Sequence, residues 1–349
     1  MQEQPLYAQK GEIEFRKKLA SQHVNGKAVF KDEFSANEIE AILLNRMKNT
    51  HQRMKQLEAR NITLSPYIEL GAERGQRSLT MENELGAHGA AIDISYDMLK
   101  SCDHYMSVFN KTKSPTRICC DIHYLPFAGN SIPFIFCYQF LHHFPDPGTV
   151  NKEIFRVLSG GGYFYFDEEP YKKVFHCNLY DRKVYAKETI NAGRIRKGID
   201  YFFAREVKNE DEYGIVENDT ISLKTWKKAL NIYEKKEVTI KTVKNIFADL
   251  YYPKNKLNYL LAYLCGGIIS GLCQKGGTDD DCRKTIEEAI ICPSCLKEKK
   301  ESILLQQERL LSCGLCGKKY PINKNIALLF PYDTFQELYP EEFRAVINK

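Results

Sequence analysis

An apolar stretch long enough to cross a bilayer is missing from this chain of 349 residues. The longest nearly uncharged run, Leu257 to Cys273, has 17 residues and carries three glycines, an Asn and a Ser. A span needs about 20 apolar residues, so the run reads as buried core and no membrane partner is expected. The opening segment MQEQPLYAQKGEIEFRKK lacks the apolar centre of a secretion signal. A dominant charge is missing too: 50 basic and 45 acidic side chains leave +5, too even to mark a nucleic-acid binder by itself. Internal repeats and low-complexity tracts are absent. What is there is ordinary globular usage, 43% apolar and 27% charged, which excludes disordered, collagen-like and coiled-coil chains. The length suits roughly two domains at about 150 residues each. Twelve cysteines without an export signal, four of them in metal spacing, favour a reducing cytoplasm over a disulfide scaffold.

Residues 1–37 are polar and weakly periodic and read as an arm or small helical cap. Ser35 or Asn37 caps a helix to about Arg60, on which Ile39, Ile42, Leu43, Met47, Met54 and Leu57 recur near helical spacing. Strands at Tyr67–Leu70, Ala90–Ile94, Thr116–Cys120, Phe134–Phe140 and Tyr163–Phe166 then alternate with helices near Gln76–Glu84, Tyr96–Phe109 and Pro147–Leu158. Such alternation predicts right-handed crossovers and an α/β, doubly wound, mostly parallel sheet. After Pro170 the rhythm stops and an insertion spans 171–221. Ser222–Tyr233 reads as helix, Glu237–Val243 as strand, and Leu257–Lys275 as helix then strand. The domains expected are thus 38–285, with the insertion as a lid, and 289–331, followed by a tail at 332–349.

Chemistry first shows at YIELGAERGQRS, residues 67–78, where a buried strand meets Gly71-Ala72 and a helix begins near Gly75. Small residues there let the backbone turn sharply and a ligand approach the helix N-terminus. Asp93, ending the second strand in AAIDIS, can accept from two ribose hydroxyls. A glycine turn alone is weak: a nucleotide- or dinucleotide-binding Rossmann enzyme shares it, and so does a plain turn with no ligand.

Glu69 before the turn, Asp121 in CCDIHYLPF and the QFLHHF segment after the fourth strand add to it. With E-L-G-A-x-x-G, A-I-D-I-S, D-x-x-x-L-P-F, L-H-H-F and EIFRVLSGGGYFYF in order, residues 60–170 resemble class I S-adenosylmethionine-dependent methyltransferases. Ala72 stands where the pattern usually has its middle glycine. The resemblance implies a Rossmann-like seven-stranded sheet and S-adenosyl-L-methionine as cofactor. It implies that Glu69, Gly71, Ala72 and Gly75 hold the methionine moiety and that Asp93 holds the ribose. Ile94 and Met98 would lie near the adenine, Asp121 would accept from its amino group beside Ile122, and Gln139 would border the cofactor.

Methyl transfer is an in-line displacement, so the enzyme must orient the acceptor and, for a hydroxyl or activated carbon, deprotonate it. Candidate bases at the carboxyl edge of the sheet are His142 and His143 after the fourth strand and Asp167, Glu168 and Glu169 in the acidic DEEP run after the fifth, each also readable as a packing or turn residue. The (N/D)-P-P-(Y/F) motif of amino-group methyltransferases is replaced by Tyr138-Gln139-Phe140-Leu141, which counts against adenine or glutamine-amide methylation.

Between Tyr171 and Lys208 stand ten Lys and Arg against four Asp and Glu, interleaved with aromatics such as Tyr180 and Tyr185. A lid of this kind would select a small anionic metabolite, with Arg194, Arg196, Tyr171 and Tyr201 as substrate contacts. A solvated basic helix face accounts for the pattern equally well.

Cys292, Cys295, Cys313 and Cys316 form C-x2-C-x17-C-x2-C, the spacing of a closed structural Zn²⁺ site. A module near 40 residues cannot bury enough surface alone, so the metal would supply folding free energy. With Y-P-I-x-x-x-I-x-L-L after the knuckles, it resembles the small zinc-ribbon proteins that activate tRNA and translation-factor methyltransferases. That resemblance implies a docking role within the chain or in a homodimer, with catalysis elsewhere. A tRNA substrate is the runner-up it suggests, not favoured over a small molecule. Aminocarboxypropyl transfer, hydrolysis of the cofactor and a non-catalytic binding fold stay open as alternatives.

Overall fold

The computed structural model describes residues 6–25, 35–183, 192–207, 213, 215, 221–242, 246–278 and 285–347. Tyr185, Lys208 and most of the acidic stretch 209–218 lie outside the described residues.

Two helices open the chain, α1 (Leu6–Asn25) and α2 (Ala36–Glu58). The second starts where Ser35 and Glu38 form a capping box, each side chain accepting from the other's backbone N–H. Then follow β1 (Tyr67–Leu70), α3 (Gln76–Glu84), β2 (Gly89–Asp93), α4 (Tyr96–Val108), β3 (Thr116–Cys120), β4 (Ile132–Tyr138), α5 (Pro147–Val157) and β5 (Leu158–Tyr171). Asp146 caps α5 and Pro147 fills its first turn, where a missing N–H costs nothing.

The parallel strands lie in the order β3-β2-β1-β4-β5. Every residue of β1 is buried, as befits a central strand covered on both faces. Chain order reverses between β2 and β4 on either side of β1, which opens a crevice at the carboxyl ends of these strands. The insertion holds β6 (Tyr180–Lys183) and β7 (Ala204–Val207), a separate parallel pair, with a helix at Arg194–Phe203 between them.

The sheet departs from the seven mostly parallel strands expected. Among the described residues it has twelve and is mixed. Beyond β5 lie β8 (Lys235–Lys241), β9 (Phe247–Asp249) and β10 (Gly267–Gln274), in the antiparallel order β10-β8-β9. At the other edge are β11 (Leu304–Gln307), β12 (Leu310–Cys313), β13 (Lys319–Asn323) and β14 (Ile326–Leu329). This antiparallel run ends in β14, which pairs parallel with β3, Ile326 opposite Arg117 and Leu329 opposite Cys120. An open edge leaves a row of backbone donors and acceptors unpaired. A module too small for a large core gains most by joining that edge, and the result is one continuous sheet. Tyr332–Leu338 and Pro340–Ile347 then fold back as helices, burying Phe335 and Phe343 against Leu328 and Phe330. Among the described residues no helix is long and apolar enough to cross a membrane.

Candidate functional site

The turn after β1 is built from three left-handed residues, Gly71, Glu73 and Gly75, at φ of 65°, 48° and 70°. A Cβ on Gly71 would sit 2.5 Å from the Phe140 ring, so only glycine fits there. The bend turns the Glu73 N–H toward Asp93 Oδ2, at 2.8 Å, while Ser95 N–H donates to Oδ1 at 2.8 Å. Burial pushes the Asp93 carboxyl up to about 6, against the pull of Arg16 and these N–H groups.

Asp121, one strand further on, is charged below the usual carboxylate range. Burial opposes its ionisation, but the His123 ring and backbone N–H both reach Oδ1, at 2.8 and 2.9 Å. Its Oδ2 accepts from Gln9 Nε2 of α1 at 3.1 Å.

A cavity of about 440 Å³ lies over these strand ends, within the size range of small-molecule sites. Of the cofactor candidates, Gly71, Asp93, Ile94, Asp121, Ile122 and Gln139 line it. Glu69, Ala72, Gly75 and Met98 do not. Glu69 is fully buried and its Oε2 accepts from Ser78 N–H and Oγ, at 2.9 and 2.5 Å. Its carboxyl, pushed up to about 7 by burial, ties β1 to the first turn of α3 instead of facing the cleft.

His142, His143 and Glu168 also line the cavity, with Phe140, Phe144, Pro170 and Ile268 nearby. Glu169 does not: it is wholly buried and accepts from the backbone N–H groups of Phe140, Leu141 and His142 at 2.7, 3.0 and 3.1 Å. The same carboxylate lies 2.9 Å from His142 Nδ1 and so fixes the orientation of the ring. The His142 and His143 rings stack at 4.5 Å. Asp167, first of the DEEP run, is held by Tyr165, Ser270 and the Glu168 N–H, so Glu168 alone of the three acids borders the cleft.

The proposed substrate contacts fall elsewhere. Tyr171 is buried with its hydroxyl on the Ala262 carbonyl, and Tyr201 donates to the Cys265 carbonyl. Arg194 and Arg196 stand exposed on their helix, Arg196 4.0 Å from Asp200. Their helix lies between β6 and β7, which pair with each other and not with the main sheet, and neither arginine is among the residues lining the cavity. The cations that do line the cleft are Arg16, Arg46 and Arg77. Arg16 and Arg46 clamp the two oxygens of Glu73 at 3.0 Å each and, against the cost of burial, keep it well below the usual carboxylate range. Arg77 lies 4.2 Å over the Tyr138 ring. Sequence reading missed these, although Gln9, Glu12 and Arg16 share one helical face by their spacing.

The four cysteines Cys292, Cys295, Cys313 and Cys316 bring their sulfurs within 4.8 Å of one another. Cys292 and Cys316 are 3.6 Å apart, Cys295 and Cys313 3.7 Å. Thiolates at ~2.3 Å from a tetrahedral Zn²⁺ are ~3.8 Å apart, so the cluster has the dimensions to hold a metal ion. The N–H groups of Cys295 and Cys316 point at the sulfurs of Cys292 and Cys313, at 3.5 Å each.

Parallel strands feeding a crevice with a carboxylate at each of two successive strand ends define an α/β nucleotide-type binding domain. Residues 68–166 match the family described as "Methyltransferase domain". Over 77 residues the chain is 34% identical to an uncharacterized chloroplastic methyltransferase of Arabidopsis thaliana, a match covering 21% of this chain and 22% of that protein. The chain therefore spans about a fifth of the length of the curated relative it matches. Among solved structures, the magnesium protoporphyrin IX methyltransferase of Synechocystis aligns at 13% identity and a TM-score of 0.43, over 77% of this chain and all of that one. A chain from the complex of the Haloferax volcanii Trm112 methyltransferase activator with a methyltransferase aligns at 16% identity and a TM-score of 0.35, over 69% of this chain and 98% of that one. Both scores are too low to bear on the reading of this chain.

Proposed function

We propose that this chain is an S-adenosylmethionine-dependent methyltransferase acting on a small acceptor that carries an O–H or an acidic C–H. The observation that supports it most is the placement of Asp93 and Asp121 on one cavity above the Gly71 bend. When bound, the cofactor supplies a methyl carbon made electrophilic by its sulfonium. Asp93, already fixed by two N–H groups, has lone pairs left for two ribose hydroxyls. Asp121 Oδ2 accepts an N–H donor from Gln9, the bond an adenine amino group would make. Ile94 and Ile122 supply flat apolar contact, and Gly71 lets the methionine moiety approach the backbone.

His142 is the base of this reading. Glu169 lies at its Nδ1 side and so fixes the ring beside the cavity that would hold the acceptor. The aromatic and aliphatic rim of Phe140, Phe144, Pro170 and Ile268 suits an acceptor with an apolar body. A small anionic acceptor held by the basic insertion is the second reading, with Arg194 and Arg196 exposed outside the residues that line this cavity. The four-cysteine cluster is read as a closed structural zinc site, and its free thiols suit a reducing compartment such as the cytoplasm.

Calorimetry with S-adenosylhomocysteine tests the reading. The wild-type chain is expected to bind, and Asp93→Ala to bind at least about 30-fold more weakly, the worth of charge-assisted hydrogen bonds, with little change in melting temperature. Equal binding by the two proteins, or none by either, removes the proposal.

A further inference from the structure

Apolar side chains that a folded protein would normally hide are concentrated on the insertion and on the helix Lys256–Cys265. On the helix Arg194–Phe203, Ile195 is 83% exposed, and Ile199 stands one turn on along the same face. Phe202 continues that face and meets Phe175, 55% exposed, with ring centroids 6.0 Å apart. Phe175 N–H in turn donates to the Leu264 carbonyl at 3.1 Å. From Leu264 the stripe runs back through Leu260 to Leu257, 63% exposed, at helical spacing. Two amphipathic helices thus meet at Phe175 and share one exposed apolar strip.

Charge frames the strip. Arg194, Arg196 and Lys197 stand at one end, Lys254 and Lys256 at the other, all exposed. On the two helices the acid is Asp200, buried under the Tyr180 hydroxyl and Arg182, and the acids of the adjoining β6 and β7, Asp181 and Glu206, are paired with Arg205 and Arg182. We infer that this strip docks the protein on the surface of an anionic lipid bilayer. Aliphatic and aromatic side chains enter the headgroup boundary while cations at both ends reach lipid phosphates, the arrangement of interfacial amphipathic helices. A second copy of the chain is a poor occupant, since a two-fold contact would set the same cations against one another. The strip also adjoins the cleft: β5 runs from Glu168 and Pro170 at the cavity into Tyr171 and the segment to Phe175. Ile268, which lines the cavity, pairs with Pro170 two residues after the helix ends at Gly266. An acceptor with an apolar body would leave the bilayer beside the cavity mouth. The missing membrane span argued against any membrane partner, but a surface contact needs no span.

Flotation of the full chain with vesicles tests this. With vesicles of phosphatidylcholine and roughly one-third phosphatidylserine at low salt, the protein is expected to float, and to be released by high salt. With phosphatidylcholine alone it is expected to stay down. The double variant Ile195→Asp, Leu260→Asp is expected to lose at least about tenfold in bound fraction, with S-adenosylhomocysteine binding unchanged as proof of folding. The inference is overturned if wild type fails to float with anionic vesicles, or if the variant floats equally. It is also overturned if wild type sediments as a dimer that the variant turns into a monomer.

Discussion

Asp93 carries two opposed demands. The fold buries its carboxyl and pushes it up to about 6, so the folded state binds a proton more tightly than the unfolded chain does. Its contribution to stability is therefore present at low pH and is lost as pH rises from the ordinary carboxylate range through about 6. Accepting two hydroxyls requires the opposite, ionised form. Affinity for S-adenosylhomocysteine is expected to fall about tenfold from pH 7 to pH 5, since one pH unit below the pKa leaves about a tenth of the group ionised. Asp93→Asn should bind weakly and show a flat profile over the same range in calorimetry. Glu169 makes a second demand at this scale. Its oxygens serve three N–H groups and a ring nitrogen, and an amide cannot accept at all four. Glu169→Gln is expected to lower kcat by roughly 100-fold, within the range for a misplaced general base, while the Kd of S-adenosylhomocysteine changes less than about threefold. A rise in KM at constant kcat would assign Glu169 to acceptor binding instead.

At the scale of elements, the strands and helices of the parallel core were legible because each was bounded by its own chemistry. Ser35 and Glu38 announce α2, Asp146-Pro147 announces α5, and Gly71 closes β1 where a side chain would strike Phe140. The acids at the ends of β2 and β3 followed from the same punctuation. Pairing across the sheet edge was not legible, because β14 and β3 recognise each other through backbone groups that every residue carries. Nor was the fate of the DEEP run, since three adjacent acids look alike until Tyr165, Ser270 and the turn at Leu141 claim two of them. The edge pairing links the cysteine cluster to the cleft. Cys313 ends β12, β12 pairs with β13 and β13 with β14, and β14 holds β3, whose next residue is Asp121. If the cluster holds the proposed zinc, a chelator, like Cys295→Ser, is expected to melt this edge first. Hydrogen exchange should then lose protection at Ile322 and Leu328, next at Ile118 and Cys119, and last at Ile68 and Ile135 in the central strands. Simultaneous loss in all of them would mean that the ribbon and the core unfold as one unit.

At the scale of the whole molecule, the cleft is walled by a helix that precedes every strand of the sheet in sequence. Strand ends and their carboxylates form the floor, but Glu12 and Arg16 of α1 are part of the wall. Gln9 is buried on Asp121, and Arg16 joins Arg46 of α2 on Glu73, the residue whose N–H orients Asp93. One helix thus touches Asp121 directly and reaches Asp93 through Glu73, the two acids proposed to read the adenosine. It is anchored independently of any ligand by Ala8 and Phe15, both buried. Two consequences oppose each other. The helix shields the cavity from water and slows escape, and Gln9 occupies an acceptor that an adenine amino group would need. The shield involves a whole helix and an ion pair, whereas the Gln9 contact is one neutral-donor hydrogen bond worth about 1–2 kcal/mol. The shield is therefore the larger effect. A chain beginning at Ser35 should keep the cooperative unfolding of its core, because the twelve-stranded sheet contains none of the deleted residues. Stopped-flow dissociation of S-adenosylhomocysteine from it should be at least about tenfold faster than from the full chain, a loss near 1.4 kcal/mol. Gln9→Ala in the full chain should act in the other direction, binding slightly tighter with an unchanged dissociation rate. Unchanged dissociation in the shortened chain would show that α1 rests on the cleft without closing it.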